Sequence, residues 1–159
     1  MLVTEAIALE HATLLRVIKE VRRVLPQLRS ALEVGTMATM LEGLLGRHGE
    51  LETEFAFLPL DHTLRHKKAL NLLHHDHQEV NDRFRQVHQA ATCERARQLL
   101  RAALRISQDH FYREERDVLP LLELTLGHGA LRALGDAFKA RSRLKHVRAR
   151  RPRRATRSR

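Results

Sequence analysis

With 159 residues the chain is long enough for one domain with its own hydrophobic core, and Leu, Ala, Arg and Glu dominate its composition. A single cysteine, Cys93, excludes an internal disulfide and a cysteine-based zinc finger, and it favours a reducing, cytoplasmic setting. The N-terminus lacks the pattern of a signal peptide, and no uncharged apolar run approaches about 20 residues. We therefore expect a protein that is neither exported nor membrane-bound.

The net charge of +10 is concentrated at the C-terminus. From Lys139 onward there are 11 basic residues and no acidic one, which leaves 18 basic against 19 acidic residues before them. We therefore divide the chain into a nearly neutral domain, 1–140, and a basic tail, 141–159, that we expect to be disordered. The tail would contact nucleic acid or an acidic surface weakly, or would have no specific partner.

Apolar residues at helical spacing, without strand-like alternation, predict an all-α fold. Its four long helices would form an antiparallel up-down-up-down bundle. We expect the first helix to be capped by Thr4 and to reach about Val34, with an interruption at Pro26. The second would open at Thr36 and end at Pro59.

The second half of the chain continues this pattern. The third predicted helix ends near Ala91, and Thr92 caps the fourth, which reaches Gly127 with a kink or a stop at Pro120. Residues 130–139 predict a short fifth helix.

Two of these helices carry the same motif. The motif is a His-x3-Glu pair that precedes a Leu-Pro step. It is formed by His48 and Glu52 in the second helix and by His110 and Glu114 in the fourth. At four-residue spacing the two side chains lie on one helix face, about one turn apart. Imidazole and carboxylate can therefore reach the same point, which suggests a metal site.

The other two long helices each place one histidine on the apolar face. His11 interrupts this face in the first helix, and His77 interrupts it in the third. Counted from the helix ends at about 1.5 Å per residue, the depths of all four histidines agree to within one turn. We therefore expect them to converge in one layer of the bundle.

The two glutamates favour metal ions over a purely structural layer. Burying an ionised carboxylate costs several kcal/mol unless a cation compensates it. Imidazole and carboxylate without thiolate suit non-haem iron, with manganese or zinc as alternatives, and this ligand set is better matched to two irons than to one. Coordination would remain open for a small molecule. The predicted ligands are His11, His48, Glu52, His77, His110 and Glu114.

Together these residues resemble the hemerythrin-like family, also called HHE cation-binding domains, over roughly residues 4–123. The resemblance implies an antiparallel four-helix bundle with a non-haem di-iron centre, bridged by the two glutamates, that binds oxygen or related small molecules. The motifs that carry it are Glu10-His11, His48-x3-Glu52, Asp76-His77, His110-x3-Glu114-Glu115 and Leu119-Pro120.

Two positions differ from the oxygen-carrying hemerythrins. Those proteins have His-x3-His on the third helix, where this chain has Leu73, and an aspartate in place of Glu114. His74 is a candidate fifth histidine ligand, the alternative being an exposed side chain at the rim. His62 and His66 are interpreted as surface residues of the connection between the second and third helices.

The sequence leaves three functional hypotheses. We favour a protein that binds or senses oxygen, nitric oxide or peroxide, or that handles iron, over an enzyme. The first alternative is a di-iron oxidoreductase that turns over peroxide, nitric oxide or ferrous iron. The second is a nucleic-acid-binding helical protein that acts through residues 141–159.

Overall fold

The computed structural model describes residues 1–61 and 68–149 of the chain. This part is all-helical, as predicted, and contains no strand. None of its helices combines the length and the hydropathy that a membrane-spanning segment needs.

Seven α-helical segments make up the described residues. Three short turns of other helical types join some of them: a 3₁₀ turn at Leu25–Gln27 and π turns at Thr53–Phe57 and Glu114–Val118. The α-helical segments are α1 Val3–Val24, α2 Ala31–Glu52, α3 Leu58–Asp61, α4 Lys68–His88, α5 Cys93–Arg113, α6 Leu119–Thr125 and α7 His128–Ala149.

The break between α1 and α2 corrects the predicted boundary. The chain leaves α1 at the 3₁₀ turn that contains Pro26, and Ser30 then caps α2 by accepting the Glu33 N–H at 3.1 Å. Glu33 returns a bond, since its carboxylate accepts the Arg29 N–H at 2.6 Å. The expected opening at Thr36 is therefore wrong, and Thr36 lies inside α2.

Of three other predicted boundaries, one is confirmed and two are corrected. Thr92 caps α5 by accepting the Arg95 N–H at 3.2 Å, as predicted. Thr4, in contrast, is inside α1 and donates its hydroxyl hydrogen to Glu123 at 2.6 Å, which ties α1 to α6. The fifth helix is longer than predicted: α7 extends to Ala149, past the expected domain boundary at residue 140.

The buried side chains form two apolar clusters. One contains Leu14, Ile18, Leu41, Phe84 and Leu100, and the other contains Ile7, Leu51, Leu73, Leu119 and Phe138. Along α1, α2 and α4 the predicted metal-binding histidines lie between a residue of one cluster and a residue of the other. A polar layer therefore separates the two halves of the core.

Helix α7 covers the second cluster and packs against α1. Its Phe138 ring meets Phe55 edge-on, with centroids 5.9 Å apart. Gly135 permits this approach, because a Cβ there would lie 2.8 Å from the carbonyl carbon of Leu2 and 2.9 Å from the Val3 nitrogen. A side chain at this position would collide with backbone.

Candidate metal centre

The polar layer brings together all six predicted ligands. Five of their side chains form two groups, each with a geometry that could hold a metal ion, and the same glutamate belongs to both. The first group consists of His11, His48 and Glu52, and the second of Glu52, His77 and His110.

The two oxygens of Glu52 face different groups. Its Oε1 atom lies 3.0 Å from His11 Nε2 and also contacts His48 Nε2. Its Oε2 atom lies 3.3 Å from His77 Nε2 and 3.6 Å from His110 Nε2. Glu52 is fully buried. Because each of its oxygens faces a different group, the carboxylate is positioned to be shared by two adjacent cations.

Glu114 also reaches both groups. Its Oε2 atom lies 3.4 Å from His11 Nε2 and 3.7 Å from His110 Nε2. Both distances are longer than a normal hydrogen bond. Both Glu114 oxygens and Oε2 of Glu52 are buried without a hydrogen-bond partner. Unsatisfied buried carboxylate oxygens are costly unless a cation meets them, so these atoms fit a bound metal.

The helical backbone changes type at both glutamates. A π turn follows Glu52 immediately, and another begins at Glu114. Such turns are rare and frequently occur at functional sites. The first turn lies between Glu52 and the Leu58-Pro59 step, and the second starts at Glu114 and ends just before the Leu119-Pro120 step.

Three of the histidines each contact a further carboxylate through Nδ1, the ring nitrogen that faces away from the shared glutamates. Nδ1 of His11 lies 2.9 Å from Glu115, and Nδ1 of His48 lies 3.2 Å from Glu10. Nδ1 of His110 lies 3.4 Å from Asp76.

These contacts leave Nε2 of each ring directed at the shared carboxylates. Outer partners of this kind fix the orientation and tautomer of metal-binding histidines. The carboxylate of Asp76 also accepts a hydrogen bond from the Arg113 guanidinium at 2.6 Å.

The cluster binds protons strongly when it holds no metal. Burial opposes protonation of His11, but the Glu114 and Glu52 carboxylates outweigh it and raise the His11 pKa to about 10. Burial likewise opposes protonation of His110, and Asp76 and Glu52 raise its pKa to about 9.

The two buried glutamates differ in their titration. Burial and the negative charge of Glu52 raise the Glu114 pKa to about 7. Burial also opposes ionisation of Glu52, but the charge on His48 and the hydrogen bond from His11 hold its pKa well below its usual range. Metal ions at this site would therefore displace protons from the imidazole rings.

Aromatic rings cover part of the cluster. Phe111 stacks on the His11 ring, with centroids 4.4 Å apart, and Phe57 stacks on the His77 ring at 5.8 Å. These rings exclude water from one side of each imidazole.

A cavity of about 420 Å³ opens on the His77 side of the site. It lies between α2 and α4, and side chains of α5 form part of its wall, including Ser107, His110 and Phe111. The side chain of His77 is 27% exposed, whereas those of His11, His48 and His110 are nearly inaccessible. Gly49 of α2 makes room for the His77 ring, since a Cβ there would lie 3.2 Å from Cε1 of that ring. The cavity also reaches His48 of the first group, but His77 of the second group is the most exposed of the four rings.

The structure does not bring His74 into either group. Its half-buried ring meets Phe57 edge-on, with centroids 5.3 Å apart, and His74 is in neither group of possible ligands. His62 and His66 lie outside the described residues. Sequence reasoning missed the outer-nitrogen roles of Glu10, Asp76 and Glu115, although each is adjacent in sequence to a predicted ligand.

Compared with protein-family models, curated proteins and solved structures, the chain shows no significant match. The interpretation of the site therefore depends on the residues themselves.

Proposed function

We propose that this protein is a hemerythrin-like metal-binding protein, with an antiparallel four-helix bundle that holds two iron ions. Its function would be to bind or sense oxygen, nitric oxide or peroxide, or to handle iron. The observation that carries the proposal is the shared carboxylate: Glu52 presents one oxygen to His11 and His48 and the other to His77 and His110.

The donor set supports two ions rather than one. His11 and His48 would hold one ion, and His77 and His110 would hold the other. Glu52 and Glu114 each approach histidines of both groups, so they are suited to lie between the ions. Nitrogen and oxygen donors without thiolate suit iron or manganese, and bound iron would supply redox chemistry and open coordination for a small molecule.

The surrounding residues have separate tasks in this proposal. Glu115, Glu10 and Asp76 hold three of the imidazole rings through Nδ1, which keeps each Nε2 free of a proton when a metal is bound. Phe111 excludes water from the His11 side. A small molecule would approach from the cavity beside His77.

Elemental analysis of the purified protein tests the proposal, together with ultraviolet-visible spectra before and after reduction and re-exposure to oxygen. We expect about two irons per chain and absorption bands that respond to oxygen. Absence of bound metal after anaerobic loading with ferrous iron would contradict the proposal, and the histidines would then be core residues only.

The cavity favours a second candidate function, a di-iron oxidoreductase. The cavity gives peroxide, nitric oxide or ferrous iron a path to the exposed His77 ring, and products can leave by the same path. Steady turnover of peroxide, nitric oxide or ferrous iron by the loaded protein would favour the enzyme. A stoichiometric, reversible spectral change would favour the binding protein.

A further inference from the structure

We propose that the cavity between α2 and α4 binds a small organic molecule with an apolar body and one carboxylate head. The inference rests on the proposed metal centre, because it places the head beside His77, a histidine of the second group. It goes beyond that centre, because a diatomic ligand or peroxide does not need such a cavity.

The size and walls of the cavity fit an organic molecule. Ligand pockets are usually about 300–1,000 Å³ and mainly apolar, with a few polar groups that fix orientation. This cavity has a volume of about 420 Å³, and Leu45, Leu58, Val80 and Phe111 contribute apolar side chains to its lining.

Two glycines on α2 contribute to this space. Gly46 and Gly49 line the cavity at three-residue spacing, on one side of the helix. Glycine inside a helix lowers helix stability by about 1 kcal/mol relative to alanine, so alanine at either position would give a more stable helix. At Gly49 the space is used by the His77 ring, whereas a Cβ at Gly46 would meet nothing within 4 Å.

The outer nitrogens of the histidines indicate the head group. His11, His48 and His110 each have a carboxylate at Nδ1, supplied by another helix or turn. His77 differs: among the described residues its Nδ1 atom has no such partner, and its ring lines the cavity.

A bound carboxylate would complete the pattern. If Nε2 of His77 is directed to a metal, the ring proton is on Nδ1, and Nδ1–H donates to an acceptor. The head of the ligand would accept this hydrogen bond, while its body packs against the apolar wall. Two carboxylates, Glu50 and Glu54, also line the cavity. The Arg141 guanidinium lies 3.6 Å from the Glu54 carboxylate, and its positive charge reduces the repulsion between Glu54 and a bound anion.

Isothermal titration calorimetry of the metal-loaded protein with straight-chain carboxylates, from acetate to octanoate, tests the inference. Each methylene buried in the cavity should increase affinity about fourfold until the cavity is filled. 1-Octanol, which lacks the carboxylate, should bind more weakly than octanoate. Equal affinity for acetate and octanoate would overturn the apolar site, and equal affinity for octanoate and 1-octanol would overturn the carboxylate head.

A pair of variants separates the cavity from the rest of the apolar surface. Gly46→Leu should fill the cavity and abolish the chain-length dependence without touching a predicted metal ligand. Gly43→Leu is the matched control, because a Cβ at Gly43 also meets nothing within 4 Å but this residue does not line the cavity. If both variants bind octanoate like the parent protein, the assigned cavity is wrong.

Metal content distinguishes the two proposals. A protein without metal overturns the proposed function. A protein with two metals and no chain-length dependence overturns this inference alone.

Discussion

Replacement of Glu52 by glutamine should weaken the binding of both metal ions, because this side chain belongs to both groups. Gln keeps the volume, but it removes the charge and directs an NH₂ group, which cannot act as a ligand, at one pair of histidines. Mutation of an outer partner alone typically lowers metal affinity 10–100-fold. Loss of a direct ligand at the ion that faces the NH₂ group should therefore cost at least about 100-fold in its affinity, or about 2.8 kcal/mol. The other ion keeps an oxygen ligand but loses the negative charge beside it.

Equilibrium dialysis against ferrous iron under anaerobic conditions, followed by elemental analysis, measures this effect. We expect the iron content of the variant to be below one per chain at a ferrous iron concentration that gives about two per chain in the parent protein. Glu20→Gln, an equal charge change at an exposed position of α1, is the control and should retain both ions. Two irons in Glu52→Gln would refute the shared carboxylate.

Other predictions address the outer carboxylates, the α1–α7 contact and the protons of the cluster. Glu10→Gln should weaken iron binding about 10–100-fold, measured by competition with a chromophoric chelator, because the partner of His48 Nδ1 loses its negative charge. Gly135→Ala should lower the free energy of unfolding in urea by roughly 1–3 kcal/mol, since its Cβ meets backbone of the α1 N-terminus. Metal-free protein should lose stability between pH 7 and pH 10, because the His11 and His110 pKa values, about 10 and about 9, exceed the ordinary 6.5.

The controls follow from the same contacts. Gly129→Ala, where a Cβ meets nothing within 4 Å, should change stability by less than about 1 kcal/mol. A raised histidine pKa stabilises the folded state fully below pH 6.5, and this contribution disappears as pH rises through the folded value. Iron-loaded protein should show the opposite trend, since deprotonated rings bind metal better at higher pH. An unfolding midpoint of the metal-free protein that is equal at pH 7 and pH 9.5 would contradict the assignment.

The sequence predicted the six clustered residues because their signal is local. A His-x3-Glu pair on an apolar helix face is visible in five residues, and the helix register then places His11 and His77 in the same layer. The start of α2 was not predictable in this way. Ser30 and Thr36 are both good capping residues, and the choice between them depends on the bond that Glu33 returns.

Residues that depend on long-range contacts were missed. Glu10 and His48 are 38 positions apart, and His11 and Glu115 are 104 apart, so periodicity contains no information about these contacts. His74 is a different case. Its spacing from His77 allowed it to face the site, and its ring packs edge-on against Phe57 without joining either group of ligands.

The carboxylates at Nδ1 also have an evolutionary consequence, because two of them contact a histidine other than the one beside them in the sequence. Glu10 precedes His11 but contacts His48, and Asp76 precedes His77 but contacts His110. In homologous chains, substitutions at Glu10 should therefore covary with those at His48 rather than with those at the adjacent His11. A lineage that loses one metal position should lose its histidines and the distant acids together, which would leave a recognisable pattern of paired substitutions across helices.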